Sequence, residues 1–176
     1  MQFKLASSLM LAVAATSVLA DSSTESQEPV RIVIKLNAYG FQPSNVKAKV
    51  GDSIEFHFGE GTSSVVQSDF ATPCKAMKNG FSSGTFIVDT TMDHNNEGPH
   101  IFVVPVTSTN PVAFYNGIKS QCYGYGAVGV INGQEDTEQS QDKLKAKAFA
   151  SHGISENPNL VRGGIIEANP EYDDIE

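Results

Sequence analysis

Short alternating runs of apolar residues, separated by turn residues, occupy positions 30 to 132 and most constrain the fold. "VRIVIKLN" (30–37) is rich in β-branched residues, and "HIFVVPVTS" (100–108) and "AVGVIN" (127–132) have the same character. No long helical pattern interrupts these runs before residue 136. The pattern therefore predicts about seven short strands in an all-β domain, either a sandwich or a barrel.

One of these strands, "SIEFHF" (53–58), has two chemically distinct faces. Its apolar residues alternate with polar ones, so we expect the apolar face to lie in the core and His57 to lie at the surface or at a sheet edge. The preceding run, "NVKAKV" (45–50), is separated from it by Gly51 and Asp52, which favour a tight turn. We expect a hairpin between the two runs.

The N-terminal residues do not share this strand pattern. The first twenty residues contain an apolar run and end in Val18-Leu19-Ala20, which fits the small-x-small cleavage pattern. We interpret residues 1–20 as a secretory signal peptide. Residues 21–29 are polar, and we expect them to be disordered.

The composition changes again after the last predicted strand. Residues 135–152 are rich in helix formers and lack glycine and proline, which predicts a short helix. We therefore divide the mature chain into a folded domain (30–133) and an acidic tail (134–176) that contains this helix and is otherwise flexible. The acidic end lacks the hydrophobic segment that a GPI anchor requires, so we expect no membrane anchor.

Charge and cysteine content narrow the class of protein. The chain has 12 basic and 20 acidic residues and a net charge of −8, which disfavours binding to nucleic acid or anionic lipid. It has two cysteines, Cys74 and Cys122. In a secreted chain an even pair most often forms a disulfide, and a reactive thiol is the alternative.

Five segments in order resemble the cupredoxin-like domains of fungal secreted proteins, the extracellular serine-rich group, which are similar to plant phytocyanins. The resemblance covers about residues 30–132. It implies a cupredoxin-like Greek-key β-sandwich. The segments are "VGDSIEFHF", "SSVVQSDFATPC", "NGFSSG", "FYNGIKSQC" and "VGVIN".

The resemblance also implies where a type 1 copper site would lie. Such a site uses two histidines, a cysteine thiolate and an axial methionine. The two histidines correspond here to Ser63 and Gln121, the cysteine to Asn116, and the methionine to Ala127 (Gly126 under strict spacing). The resemblance thus implies that all four ligands are replaced, and no cofactor is expected.

The same resemblance implies two further features. Cys74 matches the cysteine of the family's Pro-Cys segment, and Cys122 matches the cysteine that follows the hairpin histidine, so the resemblance implies a disulfide between them. We expect Asn116 and Gln121 to form hydrogen bonds within the hairpin and to fill the vacated space, since buried amides must be satisfied.

Other residues offer weaker alternatives. His94 and His100 lie in "MDHNNEGPH" and could form a non-standard copper or zinc site. Hydrolytic catalysis finds little support in the sequence, so a non-catalytic role is favoured over an enzymatic one.

The sequence thus predicts a secreted, extracellular protein that binds a ligand or assists another protein. We expect Tyr115, Tyr123 and Tyr125 to form a binding surface for a carbohydrate, a cell-wall component, a small molecule or a protein. The alternatives are a copper-binding redox protein with a non-standard site and an accessory factor in a fungal secondary-metabolite pathway.

Overall fold

The computed structural model describes residues 28–37, 39–89, 96–153 and 155–172. The expected signal peptide lies outside the described residues. The helices are α1 (Gln121–Tyr125) and α2 (Gln141–Ala150). The strands are β1 (Arg31–Asn37), β2 (Gly40–Gln42), β3 (Asn45–Val46), β4 (Ser53–Gly59), β5 (Gly61–Ser63), β6 (Val65–Ser68), β7 (Ser82–Ser83), β8 (Phe86–Val88), β9 (Glu97–Pro105), β10 (Val112–Asn116), β11 (Val128–Ile131), β12 (Val161–Arg162) and β13 (Ile165–Ala168).

Two large sheets form the body of the molecule. The first has the strand order β13-β9-β4-β1-β2, and the second has the order β12-β7-β6-β10-β11-β3. Strands β1 and β4 pair in parallel, as do β3 and β11. A small third sheet pairs β5 with β8. The predicted all-β sandwich is confirmed.

Phenylalanine rings fill the space between the two sheets. Phe56 of the first sheet packs edge-on against Phe114 of the second, with ring centroids 5.2 Å apart, and also stacks near Phe102. All three side chains are fully buried. Each contributes on the order of 1.5–3 kcal/mol through burial, so the alternation seen in the sequence is what joins the sheets.

The expected hairpin across Gly51 and Asp52 is wrong. Strand β3 ends at Val46 and pairs with β11 in the second sheet, whereas β4 lies in the first. The turn still forms, because the Asp52 carboxylate accepts hydrogen bonds from the backbone N–H groups of Lys49 and Val30. The chain uses it to cross between sheets.

The predicted C-terminal helix is confirmed as α2. It begins after Ser140, whose hydroxyl accepts a hydrogen bond from the Lys143 N–H and so caps the helix. Leu144 and Ala148 are one turn apart and buried, so they pack the helix onto the second sheet. No helix of the described residues is long and apolar enough to cross a membrane.

The segment after α2 differs from the flexible tail that the sequence predicted. Strand β12 pairs with β7 at the edge of the second sheet, and β13 pairs with β9 at the edge of the first. The paired residues include Val161 with Ser83 and Ile166 with Phe102. Residues 155–172 therefore add an edge strand to each of the two large sheets.

Candidate functional site

Three of the four positions that the resemblance assigns to copper ligands line one cavity. Ser63 ends β5, Asn116 ends β10 and Gln121 begins α1, yet all three line a cavity of about 170 Å³. Its remaining lining residues are Leu36, Asn37, Glu60, Gly61 and Thr62. Residues far apart in the sequence thus converge as the resemblance implies.

Asn116 is fixed by hydrogen bonds on its acceptor side. It is 2% exposed, and its Oδ1 accepts hydrogen bonds from the backbone N–H groups of Ser64 (3.2 Å) and Ile118 (3.1 Å). This arrangement holds the turn after β10 and uses the carbonyl oxygen of the amide. Asn116 therefore lines the cavity as a residue whose carbonyl oxygen is already satisfied.

Ser63 and Gln121 are not satisfied in the same way. The Ser63 Oγ and the Gln121 Oε1 are buried and have no hydrogen-bond partner among the residues that the structure describes. The expectation that Asn116 and Gln121 would fill the vacated space is therefore only half right: Asn116 is bonded, whereas Gln121 leaves an unpaired oxygen beside open volume. An unpaired buried polar group costs about 1–3 kcal/mol, which a bound partner would recover.

Ala127, the fourth position, lies behind the cavity lining. Its backbone N–H donates to the Gln121 carbonyl (3.0 Å), and its carbonyl accepts from the Asn116 N–H (2.9 Å). It is 1% exposed. The alternative position, Gly126, ends α1 with a left-handed backbone (φ 65°), a conformation that favours glycine. Ala127 thus ties the two amide-bearing residues together.

The chain matches two proteins of Arthroderma benhamiae. It is 26% identical over 151 residues to the "Extracellular serine-rich protein", covering 85% of this chain and 56% of that protein. It is 29% identical over 136 residues to the "Probable GPI-anchored cupredoxin-1", covering 77% of this chain and 66% of that protein. Its homologues are thus fungal extracellular serine-rich and GPI-anchored cupredoxin proteins. The expected resemblance is confirmed.

The similarity to family models and to solved structures is weaker. No family model matches the chain. It is similar to a mutant plastocyanin of fern (13% identity, TM-score 0.38) and to oxidised plastocyanin from Dryopteris crassirhizoma (14% identity, TM-score 0.35), each over 56% of this chain and 96% of the other. The chain spans less than two thirds of the length of either fungal cupredoxin relative.

The residues at the cavity do not fit type 1 copper. That site needs a thiolate, two imidazoles and a weak thioether ligand. The cavity offers a hydroxyl and two amides instead, at Ser63, Asn116 and Gln121. The neighbouring sulfur of Cys122 is bonded to Cys74 in a disulfide, so it is not available as a thiolate. No electron-transfer step through copper follows from this donor set.

The three tyrosines predicted as a binding surface do not share one. Tyr115 is fully buried, and its hydroxyl donates to the Glu156 carbonyl (2.7 Å), so it is excluded from any surface. Burial raises the pKa of its hydroxyl well above the usual value. Tyr123 and Tyr125 both belong to α1, where Tyr123 is half-buried against the cluster that contains Leu144 and Tyr125 is exposed. The segment after α2, which the sequence predicted to be flexible, contacts Tyr115 through Glu156.

His57 is also buried, contrary to expectation. It is 1% exposed, with Nδ1 2.7 Å from Glu97 Oε2 and Nε2 3.4 Å from Glu55 Oε2. Strand β4 lies in the middle of its sheet, and Asn169 after β13 reaches the same Glu97 oxygen (3.4 Å). The alternation of β4 separated His57 from the apolar face correctly, but on its own face His57 is enclosed by Glu55 and Glu97, with Asn169 beside Glu97.

Two cations complete this cluster. Arg31 bridges Glu55 and Glu167, and Lys35 contacts Glu97 and lies 3.5 Å from Glu171. The donor atoms of His57, Glu97 and Glu171 lie within 4.8 Å of one another, as in a metal site. The Lys35 ammonium already contacts both carboxylates, so it supplies the positive charge there.

The alternative metal site cannot be assembled from the described residues. His94 lies outside them, and His100 is exposed in β9, where it pairs with Ala168 of β13.

Proposed function

We propose that this chain is an extracellular or cell-surface cupredoxin-like protein that binds a ligand at its former copper position and holds no type 1 copper. The relatives are named as extracellular and as GPI-anchored proteins, which supports the location. The role is non-catalytic binding. The ligand is a molecule outside the cell, of the carbohydrate or protein class.

The cavity at Ser63, Asn116 and Gln121 carries this proposal. A scaffold that had only lost its metal would be expected to close the space or pair its polar atoms, since unpaired buried groups are costly. Here two buried oxygens remain unpaired beside an open volume of about 170 Å³. Convergent polar groups around a preformed cavity are typical of small-ligand sites.

The test begins with the full chain secreted from a copper-supplemented host. We expect no stoichiometric copper, no intense visible absorption from a copper–thiolate bond, and no free thiol at Cys74 or Cys122. Metal analysis, visible spectroscopy and a thiol titration measure these three quantities. Stoichiometric copper together with the visible band would overturn the proposal.

A gain-of-ligand variant provides the matched comparison. Ser63→His, Asn116→Cys, Gln121→His and Ala127→Met combined should bind copper and develop the visible band, because the four positions converge. The control carries the same changes with Asn116→Ser, which removes the thiolate. A folded four-residue variant that stays colourless with copper would show that these are not the ligand positions.

A further inference from the structure

We propose that the cavity binds the hydroxyl-rich end of a neutral polyol, namely a sugar ring at the end of a glycan or free in solution. This inference rests on the proposed function and names its ligand class. It follows from the pattern of donors and acceptors that the cavity leaves unused.

Two polar groups of the cavity have unused hydrogen-bonding capacity. Asn116 Oδ1 is occupied by two backbone N–H groups, so it is not available to a ligand. Gln121 Oε1 is an unpaired acceptor that requires a donor, and the Ser63 hydroxyl can donate or accept. A hydroxyl group both donates and accepts, so two adjacent hydroxyls satisfy both residues.

The same pattern disfavours ions. A bare cation would find the oxygens of Ser63 and Gln121 and the exposed Glu60 carboxylate, fewer than the roughly six to eight oxygen ligands that calcium takes. An anion would face Glu60 at the exposed rim and a chain with a net charge of −8. A neutral ligand meets neither penalty.

Size limits how much of the ligand enters. Sites for whole drug-sized molecules have volumes of roughly 300–1,000 Å³, whereas this cavity has about 170 Å³. Its rim is formed by exposed residues of β5, Gly61 and Thr62, so the opening faces solvent. The cavity therefore holds the edge of one ring, with the rest of the molecule outside.

The experiment uses saturation-transfer NMR and calorimetry on the full, metal-free chain. The probes are glucose, mannose, galactose and N-acetylglucosamine, each free and at the end of a trisaccharide. We expect saturation of ring hydrogens of at least one sugar. Tighter binding of the trisaccharide identifies a glycan end as the source, and equal binding identifies the free sugar. If no sugar binds, the inference is wrong.

Three side-chain variants test whether the sugar binds in this cavity. Ser63→Ala and Gln121→Met should each weaken binding about three- to tenfold, the loss expected for one hydrogen bond. Ser68→Ala should change nothing, because the Ser68 Oγ is also buried and unpaired but does not line the cavity. Binding that is unaffected by the first two variants overturns the inference.

Calcium and copper(II) alone serve as competing probes. Binding of either ion, lost in Gln121→Met and without any sugar binding, would refute the polyol but leave the ligand-binding role of the cavity. Stoichiometric copper with a copper–thiolate band would refute the proposed function itself. The two failures are therefore distinguishable.

Discussion

At the residue scale, Glu97 is held in its charged form by its neighbours. It is 8% exposed and lies between Lys35 and His57, with Asn169 beside it. Burial alone would raise the pKa of this carboxyl group, but the hydrogen bonds from Lys35 and His57 bring it below the usual value. The folded state therefore favours the ionised form.

This preference predicts acid sensitivity. Glu97 contributes stability that is present above its ordinary pKa of 4.5 and is lost as the pH falls through the lower folded-state value. Glu97→Gln should therefore lower the urea midpoint at pH 7 and flatten its decline below about pH 5. Urea unfolding across this pH range measures the effect.

The control for this prediction is Glu135→Gln, which changes an exposed glutamate in the loop before α2. This variant should show the same decline of the urea midpoint below about pH 5 as the wild type. Part of that decline should persist in Glu97→Gln, because backbone hydrogen bonds from Lys49 and Val30 also lower the pKa of Asp52. A decline in Glu97→Gln as steep as that of the wild type would contradict the role of Glu97.

Sequence reasoning reached some of these residues and missed others. The resemblance pointed to Ser63 through the segment that ends at Cys74 and to Asn116 and Gln121 through their spacing from Cys122; the structure places all three at one cavity, and their correspondence to copper ligands stays a prediction. The burial of His57 and Tyr115 was missed because it depends on which segment covers them. Periodicity within a strand reports a face and not the neighbour that packs on it.

At the element scale, β13 attaches the C-terminal segment to the first sheet. Gly164 precedes it and lies very close to β9: a Cβ there would meet the Val103 carbonyl oxygen at 2.4 Å and the Phe102 ring at 2.8 Å. Both contacts are with well-packed parts of the sheet. The absence of a side chain is what lets the segment approach.

Gly164→Ala should therefore push β13 away from β9 and destabilise the protein by about 1–3 kcal/mol, the range for overpacking. Gly124→Ala is the control, since its added Cβ would lie 3.3 Å from the Ser120 Cβ within the short helix α1. It should be neutral or slightly stabilising. Urea unfolding compares the two, and equal stabilities would contradict the close approach at Gly164.

Elements with strong local signals were predictable, and those defined by distant pairing were not. The sequence identified β1, β4 and α2 from periodicity and composition. It misassigned the turn at Gly51 as a hairpin because a turn signal does not say which sheet the next strand joins. It missed β12 and β13 because each is short and is defined only by its partner.

At the scale of the whole molecule, one disulfide joins two parts of the chain on the outer side of the second sheet. It links Cys74, which lies in the connection between β6 and β7, to Cys122 in α1. Both sulfurs lie in the buried cluster that also contains Leu144 of α2. The sequence predicted this pairing from the resemblance, and the structure confirms it.

Replacing both cysteines, Cys74→Ala with Cys122→Ala, should cost about 4 kcal/mol in the chain-entropy model, given a sequence separation of 48 residues. Urea unfolding of the variant measures the loss. Wild-type protein treated with dithiothreitol should show a similar midpoint, which serves as the control. A double variant as stable as the oxidised protein would show that the bond contributes nothing.

The strand order has a consequence for the behaviour of the protein at high concentration. The longest strands, β1, β4 and β9, lie inside the first sheet, whereas the outermost strands of the two large sheets, β13, β2, β12 and β3, have only two to four residues each. Exposed long edges act as templates for pairing between molecules, and short ones do not. We therefore expect the described part of the chain to resist edge-to-edge aggregation at high concentration.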